Sequence, residues 1–315
     1  MKAIITGDWH IGKVAAKVNH EEEFMRSFNW LMSECEKHQV ENIIHTGDLW
    51  DTKRFLSFPM VRLWKKVLSE LEKRSINLFI THGNHDVPNT KKMDISLFDI
   101  ADTSNRVLNF GSVTKWKIDD ENVLFVPYGL VDDIEGSADD VSLLVCHESR
   151  IPVYSGVLSV SGHIHQRAIL DGGVFVSTLY QLEREQVDQA TGYVLYTDGS
   201  YEFVDNPHQG FRRVELVEGK IEGLNPVKWV TNNRSNLVGV NLEVKVDEKT
   251  DKTLYQKLVA ILETVSLNDL VLTENIEFSQ EPLKNSSHDA VSLISSELTR
   301  PGAVKLLEDI AGKLR

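Results

Sequence analysis

Seven side chains of the types that hold divalent cations fall in five short segments of this 315-residue chain. The segments are Gly7-Asp8-Trp9-His10, Gly47-Asp48-Leu49-Trp50-Asp51, Gly83-Asn84-His85-Asp86, His147 and Gly162-His163-Ile164-His165. A mixed set of carboxylate, amide and imidazole donors suits Mn²⁺, Fe²⁺ or Zn²⁺. Two such ions held about 3.5–4 Å apart clamp the attacking and leaving oxygens of an in-line displacement at phosphorus. The residue types therefore point to hydrolysis of a phosphoester.

Asp8 and His10 are two apart, so an extended turn can aim both at one metal. Asp48 follows Gly47, and its two carboxylate oxygens can bridge a pair of metals. His163 and His165 alternate in an extended segment, one for each metal. Asn84 offers a neutral amide oxygen after Gly83, which suits a strained turn, and His147 completes the second metal. Two carboxylates against two dications leave the centre positive, which attracts phosphate whatever the charge of the whole chain. His85 is suited to orienting the phosphate or protonating the leaving oxygen. Asp51 and Asp86 are expected to fix His85 and the metal-bound histidines from behind, or equally to cap turns. His20, His38, His45, His82, His208 and His288 have no comparable context and read as surface or structural histidines.

These residues need a scaffold that brings distant segments together. The first half alternates short apolar runs (2–6, 42–46, 77–81) with amphipathic stretches (20–38, 58–74). Phe24, Phe28, Leu31, Met32 and Cys35 make one helical face, and Val61, Trp64, Leu68 and Leu71 another. This order implies parallel strands with helices packed on the sheet. Asp8, Asp48 and Asn84 then lie just past the carboxyl ends of three strands, where open α/β sheets build their sites. From about residue 106 the pattern turns to short strands over 112–118, 122–127, 142–146, 157–162, 173–177, 192–197 and 201–204. A second sheet on the first, with helices outside, would be a four-layer α/β/β/α sandwich. A turn-rich stretch at 205–210 suggests a boundary, so 1–206 reads as the main domain and 207–280 as a small α+β domain. In the latter, strands are expected over 211–217, 237–246 and 271–278 and a helix over 252–264. Residues 281–315 read as a tail with two short helical stretches, 288–298 and 301–314.

The formal net charge is −13, which counts against a stand-alone protein that grips nucleic acid by bulk charge. It leaves room for a nuclease whose metals, local basic loops or partner contact DNA. No apolar run is long enough for a membrane span, and the first residues lack a signal-peptide layout, so a cytoplasmic protein is expected. Cys35 and Cys146, the two cysteines, have no CxxC partner and read as buried reduced thiols.

The order DxH, GDxxD, GNHD, lone His and GHxH resembles the calcineurin-like metallophosphoesterase superfamily. Asp8-Trp9-His10-Ile11-Gly12 and Gly47-Asp48-Leu49-Trp50-Asp51-Thr52 look like the SbcD-type DNA double-strand-break nuclease subunit. Asp86 after the GNH segment and His82 before it point away from the phosphoprotein phosphatases. The resemblance implies one Mn²⁺ on Asp8, His10, Asp48 and His165, and another on Asp48, Asn84, His147 and His163, with Mg²⁺ as the alternative. It implies that His85 is the catalytic histidine. It further implies 3′→5′ exonuclease action on duplex ends and endonuclease action on single strands, in DNA recombination, replication and repair. A capping domain, a homodimer and an SbcC-type SMC-like ATPase docked on the C-terminal helices are implied as well. The chain is short for a bacterial SbcD, which suggests a compact phage-type homologue in a host cytoplasm. Val176-Ser177-Thr178-Leu179-Tyr180-Gln181 replaces the Gly-Ser-Pro turn frequent in the family.

Lys53, Arg54, Lys91, Lys92, Arg150 and Arg167 lie next to the motifs and could touch DNA backbone, or equally be solvated surface charge. Trp64 and the stretch 95–100 could serve a dimer interface or the core. A small-substrate phosphodiesterase or phosphatase is the competing reading, because the metal ligands alone do not choose the ester. A protein that has lost its metals is disfavoured, since every expected ligand is present.

Overall fold

The computed structural model describes residues 1–14, 20–88, 95–101, 104–134, 139–170, 172–247, 250–267 and 269–274. Its first elements are β1 (Lys2–Thr6), α1 (His20–His38), β2 (Asn42–His45), α2 (Phe58–Arg74), β3 (Asn77–Thr81) and β4 (Val107–Phe110). β1 to β3 are nearly pure apolar runs because both faces of their sheet are covered. α1 opens with Glu21, Glu22 and Glu23 and closes with Lys37 and His38, charges that complement the helix dipole. Ser57 caps α2 by accepting from the Met60 N–H, Pro59 sits in its first turn, and a left-handed Ser75 ends it.

The next strands are β5 (Thr114–Ile118), β6 (Glu121–Val126), β7 (Leu143–Cys146), β8 (Leu158–Ser161), β9 (Ala168–Leu170) and β10 (Gly173–Phe175). β11 (Gly192–Thr197) and β12 (Ser200–Asp205) follow. Two six-stranded sheets result, ordered β12-β11-β1-β2-β3-β4 and β5-β6-β7-β8-β10-β9. β1 to β4 are mutually parallel, as are β6, β7, β8 and β10. β11 returns antiparallel to β1.

Three apolar clusters define the layers. Ala3, Ile5, Ile44 and Phe79 of the first sheet meet Val123, Phe125, Val145 and Val160 of the second. On the other face of the first sheet, Ile4, Ile43 and Leu78 pack under Phe24, Phe28 and Leu31 of α1 and Trp64 and Leu71 of α2. The outer face of the second sheet, Leu124, Leu144 and Cys146, is covered by Ile134 of a 3₁₀ turn (Val131–Ile134) and by Val141. The architecture is the α/β sandwich expected, with sheets at the centre and helical layers outside. Trp64 is core, against Trp50, whereas Ile95 and Ile100 are exposed and Leu97 and Phe98 buried. Cys35 and Cys146 are both buried and free, and burial pushes each thiol up to about 12.

A first compact unit spans Met1–Gln209 and a second opens at Gly210. The second contains β13 (Phe211–Val217), β14 (Lys220–Ile221), α3 (Pro226–Leu237), β15 (Asn241–Val246), α4 (Lys252–Leu262) and β16 (Asp269–Glu274). Its sheet runs β14-β13-β15-β16, with β13, β15 and β16 parallel. Val214, Leu216, Leu242 and Val244 form its core with Trp229, Val230, Leu258 and Leu262.

One expected element differs here. Residues 237–246 are not one strand: Leu237 ends α3, Gly239 turns at φ 74° and β15 begins at Asn241. The run Leu237-Val238-Gly239-Val240 mimics a strand, while Thr231, Asn232, Asn233, Ser235 and Asn236 are weak helix formers that mask α3. The edge strand expected over 271–278 starts earlier, at Asp269, and is described to Glu274. The two tail helices expected over 288–298 and 301–314, with the rest of 281–315, lie outside the described residues.

Candidate metal centre

The carboxyl ends of the parallel strands in both sheets converge at one end of the sandwich. Asp8 and His10 follow β1, Asp48 follows β2 and Asn84 and His85 follow β3. His147 follows β7, and His163 and His165 follow β8. The loops after β1 and β2 continue to pair beyond their strands. Asp8 N–H donates to the Gly47 carbonyl (3.0 Å), His10 N–H to Asp48 (3.1 Å) and Ile11 N–H to Leu49 (2.8 Å). The two tryptophans of these motifs anchor the loops in the core: Trp9 packs on Phe24 and Phe28, and Trp50 on Trp64.

The backbone is bent to aim the donors. Asp8, His10, Asp48, His163 and His165 all have left-handed φ, between 44° and 76°. Non-glycine residues adopt it only at a cost. Gly83 leaves room for the neighbouring carboxylate, since a Cβ there would lie 2.1 Å from Asp48 Oδ1.

Asp48 Oδ2 lies 3.3 Å from His147 Nε2 and 3.7 Å from His10 Nε2, between the two ligand groups. Its Oδ1 accepts from the His85 N–H at 2.7 Å. Asp8 Oδ1 lies 3.4 Å from His165 Nε2 and 3.9 Å from His10 Nε2. His10 and His165 point their Nε2 atoms at each other, 3.2 Å apart. His163 Nδ1 meets Asn84 Oδ1 at 3.1 Å. Two triads of donor atoms thus close on a common point, Asp8–His10–His165 and Asp8–Asp48–His147. The structure brings all seven expected ligands together.

A cation fits this donor set for a reason visible at His147. Its Nδ1 lies 2.8 Å from the Thr46 carbonyl, which only accepts, so Nδ1 carries the proton. Its Nε2 is buried without a hydrogen-bond partner and faces the Asp48 carboxylate. In a neutral ring that is a lone pair against an anion, and only a positive charge between them relieves it. Burial disfavours the charged ring, but attraction to Asp48 wins and raises its pKa to about 10. Asp48 is held far below the carboxylate range, burial being overcome by His147 and His10. Asp8 is lowered too, burial being outweighed by His165 and His147. A metal ion between Nε2 and Asp48 would supply that positive charge.

The supporting residues divide. Asp51 Oδ1 takes the His10 Nδ1 proton (3.2 Å), and its carbonyl takes that of His85 Nδ1 (2.9 Å). His85 Nε2 has no hydrogen bond among the described residues at this half-buried site, and Asp51, His10 and His85 form a third cluster. Asp86 does not touch a histidine. It is fully buried and accepts three backbone N–H groups, from Asp48 (2.9 Å), Gly83 (2.8 Å) and Trp50 (3.2 Å), so it clamps the loops after β2 and β3 together. Burial and the charge of Asp48 push its pKa up to about 7.

The candidate DNA contacts are scattered. Lys53 is half-buried, and Arg54 and Arg150 are exposed on loops after the motifs. Arg167 is engaged elsewhere, paired with Asp205 at 2.6 Å and stacked 4.5 Å over Phe203. Lys91 and Lys92 lie outside the described residues. His45 and His82 are buried structural rings, the former edge-on to Trp9 and the latter stacked on Phe98. One neighbour of the centre escaped the motif reading. Tyr128, just past β6, places its ring 5.5 Å from that of His163 and 6.2 Å from that of His147. Its only signal in the sequence is an aromatic residue before Gly129 at a strand end.

Comparisons with known proteins agree with this geometry. Residues 1–206 match the family described as Calcineurin-like phosphoesterase. The SbcD proteins of the nuclease SbcCD in Escherichia coli K12 and in Escherichia coli O157:H7 are each 31% identical over 86 residues. The match covers 27% of this chain and 21% of each relative, so the shared segment spans about a fifth of their length. The crystal structure of Pseudomonas putida nuclease MPE is 14% identical and covers 63% of this chain and 85% of that one. Its TM-score, 0.33, is too low to bear on function. No described helix is long and apolar enough to cross a membrane. With well over half of its length matched, the chain belongs to the calcineurin-like phosphoesterase family.

Proposed function

We propose that this metal-dependent phosphoesterase is the nuclease component of a DNA-processing complex, dependent on Mn²⁺ with Mg²⁺ as the alternative cofactor. Asp8, His10, Asp48 and His165 would hold one ion, and Asp48, Asn84, His147 and His163 the other. When bound, the two cations supply the positive charge that stabilises an in-line displacement at phosphorus. The chain's own groups do the rest. Asp48 spans both ligand groups through Oδ2 and fixes the His85 backbone through Oδ1. His85, oriented by the Asp51 carbonyl, would donate a proton from Nε2 to the leaving 3′ oxygen. Asp51 and Asp86 keep the histidine and the loops from moving between turnovers.

The observation that carries the metal chemistry is the orphaned Nε2 of His147 facing Asp48. DNA as substrate is supported by the 31% identity with the SbcD proteins. On that reading the chain has 3′→5′ exonuclease activity on duplex ends and endonuclease activity on single strands. It would process ends in recombination, replication and repair, as a cytoplasmic homodimer with an SbcC-type ATPase. The main domain would be 1–206, the cap 207–280 and the docking segment 281–315. Lys53, Arg54, Arg150, Lys91 and Lys92 would touch DNA backbone. The net charge of −13 keeps a small-substrate phosphodiesterase as the competing reading, because such a substrate needs no basic surface.

The test runs an end-labelled DNA duplex and bis(p-nitrophenyl) phosphate side by side with Mn²⁺. Nucleotide release by the wild type, reduced about 10²- to 10⁴-fold in His85→Ala with its metals retained, is the expected result. Turnover of the small diester without any DNA cleavage would replace the nuclease reading by the competing one.

A further inference from the structure

Tyr128 has the geometry of a substrate wall rather than of a core residue. It is half-buried, and its phenol hydroxyl makes no hydrogen bond among the described residues. Its ring lies against His163 and His147, the imidazoles of the second ligand group, while His85 lies against His10 on the first. The ring and the expected proton donor therefore flank the centre from opposite ligand groups.

The backbone under Tyr128 is fixed on both sides. Its N–H donates to the His82 carbonyl at 2.9 Å, tying it to the end of β3. The next N–H, of Gly129, donates to Glu148 Oε1. Glu148 is itself locked, since its N–H and carbonyl both bond Ser161 Oγ, at 2.8 and 2.9 Å. A ring so held loses little entropy on stacking, and every nucleobase has a face to offer it.

We propose that Tyr128 forms a nucleobase subsite: its ring stacks on the base of the nucleotide joined to the scissile phosphate on the side away from His85. The subsite takes an unpaired base of any identity, because stacking reads a face and not an edge pattern. Tyr128 is a positioning residue, acting on where the phosphate lies and not on the reacting atoms. The inference rests on the nuclease reading.

The test uses oligonucleotides with one hydrolysable linkage among methylphosphonates. One carries bases on both flanks, and the other two carry an abasic residue on one flank or the other. Tyr128→Ala is expected to lower kcat/KM on the fully based strand roughly 5- to 100-fold, and Tyr128→Phe to leave it nearly unchanged. On the strand abasic at the nucleotide that keeps the scissile phosphate, the flank away from the leaving 3′ oxygen, wild type and Tyr128→Ala should cleave equally; equality on the other abasic strand instead would overturn the subsite, and each variant should keep the wild-type Mn²⁺ content. An equal loss on all three strands, no loss on any, or a loss of metal would overturn the subsite. If the wild type hydrolyses bis(p-nitrophenyl) phosphate but none of the oligonucleotides, the nuclease reading fails and the subsite with it.

Discussion

The floor and the rim of the metal centre are built differently. Asp8, Asp48, Asp86 and His147 form the floor, fully or almost fully buried, each bound to backbone of another loop or to another charge. Asn84, His85, His163, His165 and Tyr128 form a half-buried rim, and Arg54 and Arg150 stand exposed beyond it. The floor concentrates charge and fixes geometry, and any phosphoesterase of this fold needs it. On the proposed reading Asn84, His163 and His165 of the rim complete the two metal sites, while His85 and Tyr128 would face the substrate, so the choice among phosphoesters would be made there.

The largest effect that would test this division is at the floor. Asp48→Ala removes the carboxylate whose Oδ2 lies between His10 and His147, one from each ligand group. Turnover of bis(p-nitrophenyl) phosphate should fall by about a thousandfold or more, with metal content falling too. Retention of both metals would show that Asp48 is not a bridge. Next comes Asp86→Ala, which leaves three buried N–H groups without an acceptor. It should destabilise the chain by about 2–4 kcal/mol in a denaturant titration. A neutral result would mean that release from Asp48's repulsion offsets the lost bonds.

The smallest effect contrasts two buried histidines. His147 faces Asp48 and is pushed up to about 10, whereas neither ring nitrogen of His20 has a hydrogen-bond partner among the described residues and burial lowers it to about 4. As pH falls below 6.5 the unfolded chain takes a proton on His20 before the folded one does. Stability from this group is therefore full above pH 6.5 and is lost progressively down to about 4. His20→Gln should flatten that part of the pH–stability curve measured by thermal unfolding. An unchanged slope would place the acid sensitivity elsewhere.

What could be read from the sequence follows the same division. Asp8 and Asp48 each follow a glycine at a strand end, so residue type and local backbone demand coincide in one short motif, whereas His147 stands alone at the end of β7. The layers were legible for a similar reason, since the central residues of β1 to β3 are apolar and α1 carries an apolar stripe. For Asp86 the sequence left two roles open, and its donors on the loop after β2, the Asp48 and Trp50 N–H groups, are backbone groups that no side-chain pattern announces. Arg167 looked free because Asp205 and Phe203, which hold it, are nearly forty residues away in the chain. α3 was hidden by weak helix formers, although Asn225 capping Val227 and Pro226 in the first turn were signals of its start. Tyr128 reaches the centre only through tertiary contacts.

The most direct test of the account is the number of Mn²⁺ ions per chain, measured by native mass spectrometry of the protein loaded with Mn²⁺. The two ligand groups joined by Asp48 predict two ions in the wild type and in His85→Ala. A single ion in the wild type, or none, would contradict a two-metal centre and with it the mechanism proposed for this chain.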